Sequence, residues 1–136
     1  MVTLKNKEKS CGVVVIKDGK VLLVKHDVGH YGFPKGHMEP GESEVETAIR
    51  ETKEETNIDV TVDESKRYEI GYYKDNGNYK EVVYFIGYPT SNDLLAQEGE
   101  ISEVFWVDIQ KVEEYLGFNN IITLWNEKII KDIKEN

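Results

Sequence analysis

Apolar positions along the chain follow two rhythms. The first is short and strand-like. Gly12-Val13-Val14-Val15-Ile16 and Val21-Leu22-Leu23-Val24 are unbroken runs joined by Lys17-Asp18-Gly19-Lys20, which predicts two strands paired as a hairpin. A polar lead-in, Asn6 to Lys9, precedes them, and a loop, His26 to Gly32, follows. Val60 and Val62 alternate with polar neighbours and predict a further strand. Tyr68 to Lys74 and Tyr79 to Tyr88 bracket Asp75-Asn76-Gly77-Asn78, whose Asn-Gly pair predicts a second hairpin. Pro89 to Gly99 reads as a polar loop, and Ile101 to Val107, carrying Trp106, as a last strand. The second rhythm is helical. Ser43 to Thr56 contains no Gly or Pro, Asp108 is placed to cap a short helix through Leu116, and Asn120 to Lys134 presents Ile122, Trp125, Ile129 and Ile133 on one side. Strands interleaved with two or three helices predict an α/β layered sandwich around a mixed β-sheet. No internal repeat, low-complexity tract or linker divides the chain, so residues 1–136 read as one domain.

The helix after Ser43 carries the informative irregularity. Ser43 and Glu46 form a capping box by spacing. Val45, Ala48, Ile49 and Thr52 share one face, while Glu51, Glu54 and Glu55 project from another, with Glu44 near the same line two turns upstream. Glu51 stands i,i+3 from Glu54 and i,i+4 from Glu55, and each like-charge pair costs an isolated helix roughly 0.2–0.5 kcal/mol. Two readings account for such a stripe. It is a solvated helix face, or it holds divalent cations, whose hard character favours carboxylate oxygens.

Composition narrows the setting. With 136 residues the chain can bury a full core. No apolar run approaches the roughly 20 residues of a membrane span, and Met1-Val2-Thr3-Leu4-Lys5 has no leader pattern. The lone Cys11 fits a reducing cytoplasm and, between Ser10 and Gly12 in a strand, reads as a small buried thiol rather than a nucleophile. A net charge of −9 counts against an extended nucleic-acid surface. It leaves room for a small polyphosphate if cations and local lysines supply positive charge. His26, His30 and His37 show no zinc-binding spacing, and no EF-hand loop is present.

Spacing around the acidic helix shifts the balance between its two readings. Gly36, five residues, Glu42, seven residues, Arg50-Glu51, two residues, Glu54-Glu55, one residue and Asn57-Ile58 together resemble the box of the Nudix hydrolase family. Thr52 stands where that box usually has an aliphatic residue. Asn57 replaces its glycine, and Asn is the next best residue for a left-handed helix end. The resemblance implies a Nudix-type α/β/α sandwich with a mixed sheet, in which the box forms a loop–helix–loop. It further implies that Glu51, Glu54 and Glu55 bind Mg2+ (or Mn2+) and that the Lys35 carbonyl adds a ligand. Arg50 then orients Glu51 and pairs with Glu42, although an ordinary structural ion pair accounts for Glu42 and Arg50 equally well. A further glutamate from outside the box serves as ligand or base. Glu98, Glu100 and Glu103 are the candidates, and Glu100, six residues before Trp106, matches best.

Residues around the box refine the resemblance. Tyr31-Gly32-Phe33-Pro34-Lys35-Gly36-His37-Met38-Glu39-Pro40-Gly41-Glu42, and Lys80 followed four residues later by Tyr84, look like the asymmetric diadenosine tetraphosphate hydrolases. This implies splitting the tetraphosphate with water into ATP and AMP. Lys35, His37 and Lys80 are candidates to contact phosphates, and Tyr31 or Tyr84 to stack on adenine, with core packing the alternative for each tyrosine. The expected partner is a nucleotide, with no membrane and a monomer or homodimer as the assembly. Rival readings are an RNA 5′-pyrophosphohydrolase, a nucleoside triphosphate pyrophosphatase and an inactive nucleotide-sensing module. Intact Glu51, Glu54 and Glu55 count against the last.

Overall fold

The valine-rich hairpin forms the middle of a mixed sheet. The structure is a computed structural model and describes residues 7–134; Asn6, at the start of the polar lead-in, lies outside the described residues. Strand β1 (Lys7–Lys17) turns through Asp18 and Gly19, both at positive φ, into β2 (Lys20–His26). Two successive left-handed residues match the twist of a two-residue hairpin. The sheet runs β3-β2-β1-β6-β5, with β3 (Tyr31–Gly32), β5 (Val60–Tyr73) and β6 (Tyr79–Pro89). The β1–β6 pairing is parallel and the others antiparallel. Strand β4 (Lys35–His37) pairs with Ser10–Gly12 of β1, and β7 (Ile101–Asp108) lies along β2.

Side-chain alternation along β1 and β6 builds two cores. Val13, Val15, Val83 and Phe85 face helix α1 (Glu44–Thr56) and pack with Ala48 and Ile58. Val14, Val82, Tyr84 and Ile86 face the C-terminal helical segment and pack with Phe33, Leu124, Trp125 and Ile129. A strand covered on both faces has no polar side to show, hence the continuous apolar runs. Each fully buried aliphatic or aromatic side chain contributes roughly 1.5–3 kcal/mol. Helices on both faces make this the expected α/β/α sandwich.

Several expectations change in detail. Val60–Val62 and Tyr68–Tyr73 are not separate strands but parts of β5, which stops short of Lys74 and shifts register between Asp63 and Arg67, where Asp63 accepts from the Ser65 N–H and hydroxyl at 3.0 and 2.6 Å. The expected loop from His26 to Gly32 ends in strand, because Tyr31 and Gly32 pair with Lys25 and Val24. Asp108 makes no side-chain cap, and the segment behind it, Ile109–Glu114, winds as a 3₁₀ helix. The last helix contains a π turn, Trp125–Ile129, between α2 (Asn119–Leu124) and α3 (Ile130–Lys134). That extra residue per turn carries Ile121, Leu124, Trp125 and Ile129 into the core, leaving Ile122 and Ile133 at its edge. No helix among the described residues is long and apolar enough to cross a membrane.

Candidate active site

Two glycines bring backbone close to the acidic helix. A Cβ on Gly12 would lie 2.1 Å from the Pro34 carbonyl oxygen, so its absence lets β4 close on β1. A Cβ on Gly36 would lie 2.0 Å from the Glu51 carboxylate. The loop thus leads directly onto α1, whose start is held by the capping box: Ser43 Oγ accepts from the Glu46 N–H at 3.1 Å, and Glu46 accepts from the Ser43 N–H at 2.9 Å. Asn57, at φ 67°, ends the helix in the left-handed conformation.

Arg50 ties loop and helix together. Its Nε donates to Glu42 at 2.6 Å, Nη2 to Glu42 at 3.0 Å and to the His37 carbonyl at 2.9 Å, and Nη1 to Glu51 at 2.8 Å and Glu54 at 3.2 Å. Glu42 also accepts from Thr47 Oγ1 at 2.9 Å and the Glu39 N–H at 2.9 Å. These donors, Arg50 foremost, hold the Glu42 carboxyl down at about 2.

The other glutamates differ sharply in setting. Glu54 is exposed and Glu51 half-buried, whereas Glu55 is only 4 % exposed. Glu55 therefore does not share the solvated face that helical periodicity assigns it. The buried positions of α1 are Thr47, Ala48, Thr52, Glu55 and Thr56, with Val45 and Ile49 at the rim of the core. Burial pushes the Glu55 carboxyl up to about 7. The Lys35 N–H, donating at 3.1 Å, and the Lys35 ammonium oppose this, while Glu51 and Glu100 add to it. Glu51 is likewise raised, chiefly by burial, against the pull of Arg50. Glu44 leaves the stripe altogether and binds Arg67 at 2.8 Å through both carboxylate oxygens, and Lys9.

Glu100 reaches this group through the loop before β7. That segment is pinned to the end of α1 by the Leu95 N–H on the Thr56 carbonyl at 3.0 Å and the Gln97 N–H on the Glu55 carbonyl at 3.3 Å. Glu100 itself is exposed, and its charge is felt by both Glu51 and Glu55. Glu98 is exposed in the same loop, and Glu103, also exposed, pairs with Lys25 across β2 and β7.

Among the described residues no three acidic, histidine or cysteine side chains are already drawn together around a common point. Arg50 Nη1 stands between Glu51 and Glu54 instead. The donor set nonetheless suits a hard divalent cation. It offers carboxylate oxygens beside closely approaching backbone, and a buried Glu55 whose ionised form is only partly offset by Lys35.

A cavity of about 830 Å³ opens beside these groups, lined in part by Tyr31, Lys35 and Tyr84. Lys35 has its ammonium disfavoured by burial, with Glu55 and Glu51 opposing. Tyr31 is half-buried, edge-on to Tyr115 at 5.2 Å, and Lys25 Nζ lies 5.6 Å from its ring centre. Tyr84 is buried against Phe33 at 5.3 Å, so it serves the core and borders the cavity at once. His37 and Lys80 lie to one side, joined by a 3.1 Å contact between Nε2 and Nζ. Phe33, His30 and Phe118 also line the cavity. Sequence reasoning quoted Phe33 within the Tyr31–Glu42 stretch and weighed His30 only for zinc, naming neither as a substrate contact; the exposed Phe118 carries no periodic signal that would have drawn attention to it.

Comparisons with known proteins identify the family. The chain is 30% identical over 126 residues to the asymmetrical bis(5′-nucleosyl)-tetraphosphatase of Caenorhabditis elegans, covering 84% of this chain and 91% of that protein. It is 26% identical to an RNA pyrophosphohydrolase of Pelagibacter ubique, covering 91% and 87% respectively. The solved C. elegans Ap4A hydrolase binary complex superposes with a TM-score of 0.83 at 27% identity, covering 95% of this chain and 99% of that one. Residues 7–129 match the NUDIX domain, and the chain belongs to the Nudix hydrolase family.

Proposed function

We propose that this Nudix hydrolase uses Mg2+, or Mn2+ in its place, to split diadenosine tetraphosphate with water into ATP and AMP. One observation carries the reading: buried Glu55 and half-buried Glu51 meet the Lys35–Gly36 backbone at the edge of a cavity that also presents a lysine and two tyrosines. Glu51, Glu54, Glu55, Glu100 and the Lys35 carbonyl are the groups that would hold the cation. When bound, it supplies positive charge to the anhydride and acidifies water.

The chain's own residues do the rest. Arg50, braced by Glu42, keeps Glu51 in one orientation. Lys35, with His37 and Lys80 beside it, offsets phosphate charge, and Tyr31 and Tyr84 offer faces to adenine. Water oxygen bonds to phosphorus as the bridging P–O bond breaks. A carboxylate of the Glu51, Glu54, Glu55 and Glu100 group takes the water's proton, and the leaving phosphate departs as an anion.

The bis(5′-nucleosyl)-tetraphosphatases of C. elegans and Sus scrofa, 30% and 25% identical, support the substrate assignment. The RNA pyrophosphohydrolase likeness favours a second reading, against which the net charge of −9 weighs. Incubation with Mg2+ and, separately, diadenosine tetraphosphate, nucleoside triphosphates and 5′-triphosphorylated RNA decides between them. ATP plus AMP as the fastest-formed products is the expected result, abolished by chelator. Preference for RNA or for a mononucleotide would replace the assignment, and ¹⁸O-water would locate the attacked phosphorus.

A further inference from the structure

Lys80 is a long cationic side chain held almost out of solvent, at 6 % exposure. Among the described residues no carboxylate lies within ion-pairing distance of it, although the strand next to it carries Glu8 and Glu81 follows it. Its ammonium donates to Ser10 Oγ at 2.6 Å and meets His37 Nε2 at 3.1 Å. Ser10 Oγ is a neutral acceptor, and His37 Nε2, which also lies 3.4 Å from Glu8 Oε1, accepts from Lys80 in the tautomer that carries its proton on Nδ1. Ser10 is itself 1 % exposed.

Register explains the meeting. On β1, Ser10 pairs with Val82 of β6 on one side and His37 of β4 on the other. Side chains on β6 alternate, so Lys80 shares a face with Val82 and Tyr84, both of which border the cavity. An ammonium has three protons. Ser10 takes one and His37, in the Nδ1-protonated tautomer, a second, which leaves one for an incoming acceptor.

Resting on the reading of Lys80 as a phosphate contact, we propose that Ser10 is a positioning residue for substrate: its hydroxyl aims the Lys80 ammonium at the oligophosphate without neutralising it. A carboxylate at residue 10 would hold the lysine as firmly but would cancel the charge that the phosphate is to meet. An alanine there would leave a buried ammonium one acceptor short, free to turn away. Glu8 steadies the other end of the arrangement. It accepts from Lys74 Nζ at 3.0 Å and Asn78 Nδ2 at 3.2 Å, and so stays on the hairpin side of His37 rather than reaching Lys80.

The test compares wild type, Ser10→Ala, Lys80→Met and the double variant as full chains with Mg2+ and diadenosine tetraphosphate. Ser10→Ala should raise KM about fivefold to tenfold, the scale of one lost charge-assisted hydrogen bond, with kcat changed far less. Lys80→Met should raise KM at least as much. Adding Ser10→Ala to Lys80→Met should then do nothing more, because the ammonium it positions is gone. Calorimetric affinity for inorganic tripolyphosphate should follow the same pattern without turnover, and thermal unfolding of each variant reports on the fold. An unchanged KM in Ser10→Ala beside a raised KM in Lys80→Met overturns the positioning role, as does an equal Ser10→Ala effect with and without Lys80. An unchanged KM in Lys80→Met instead overturns the phosphate contact itself.

Discussion

Glu54 and Glu55 are adjacent in sequence and opposite in environment. The first is exposed and touches Arg50 at 3.2 Å, while the second lies buried against the Lys35 N–H. Replacing either with Gln keeps its volume and removes its charge. Each change should lower kcat by two orders of magnitude or more while thermal unfolding stays close to wild type, Glu55→Gln even gaining stability because burial opposes its charge. Turnover assays and melting curves read both. Near-wild-type rates in the pair would remove the carboxylates from the chemistry. Thr52 offers a purely structural counterpart. Its buried hydroxyl has no hydrogen-bond partner among the described residues, so Thr52→Val, nearly isosteric and restoring an aliphatic side chain, should stabilise by about 1 kcal/mol in urea unfolding.

Elements matter here through how closely they approach. The Nudix loop leads onto α1 with Gly36 pressed against the Glu51 carboxylate. Gly36→Ala would drive its methyl group into that carboxylate at 2.0 Å. Because Arg50 binds Glu51 together with Glu42, moving Glu51 disturbs the whole ion-pair group. A fall in kcat larger than any fall in melting temperature is expected. An active Gly36→Ala enzyme would show that the close approach is incidental. Asn57 makes the converse point. It adopts the left-handed conformation that a glycine would, at φ 67°, so the departure from the usual box leaves the helix end intact.

Across the whole molecule, carboxylates fall into two opposed groups. Glu8, Glu42 and Glu44 are each held at about 2, mainly by Lys74, Arg50 and Arg67 respectively. Their unfolded values lie near 4.3, so the stability they lend is full above that pH and is lost as pH falls through about 2. Glu55 has the reverse sign. Held at about 7 in the fold, it binds a proton more readily folded than unfolded, so between roughly 4.3 and 7 stability declines as pH rises. Half-buried His26, held down at about 4, acts with the opposite sign between about 4 and 6.5. Urea midpoints measured without divalent cation should therefore change little from pH 5 to 7 and collapse below pH 4. In Glu55→Gln the midpoint should instead rise from pH 5 to 7, and in Glu44→Gln the collapse should be shallower. Wild-type and Glu55→Gln profiles of equal slope from pH 5 to 7 would contradict the assignment for Glu55.

Local chemistry written into the chain settled much of this. The Asp18-Gly19 turn, the β-branched runs, the capping box at Ser43 and the spacing of Gly36, Glu42, Arg50, Glu51, Glu54 and Glu55 depend on neighbours a few residues apart, and were readable without a fold. The Tyr31–Gly32 strand, the joining of Val60 to Tyr73 in one strand and the π turn at Trp125 were not, because partners distant in sequence create them. The same holds for burial. Helical periodicity can say that Glu55 lies near Glu51, but only the loop from Pro89 to Gly99, folded back onto the end of α1, together with the Lys35 backbone, takes it out of water. Ser10 and Lys80 stand seventy residues apart in sequence and meet because β1 and β6 run parallel. A parallel pairing joins remote segments and has no local signature, so that contact belongs to the tertiary structure alone.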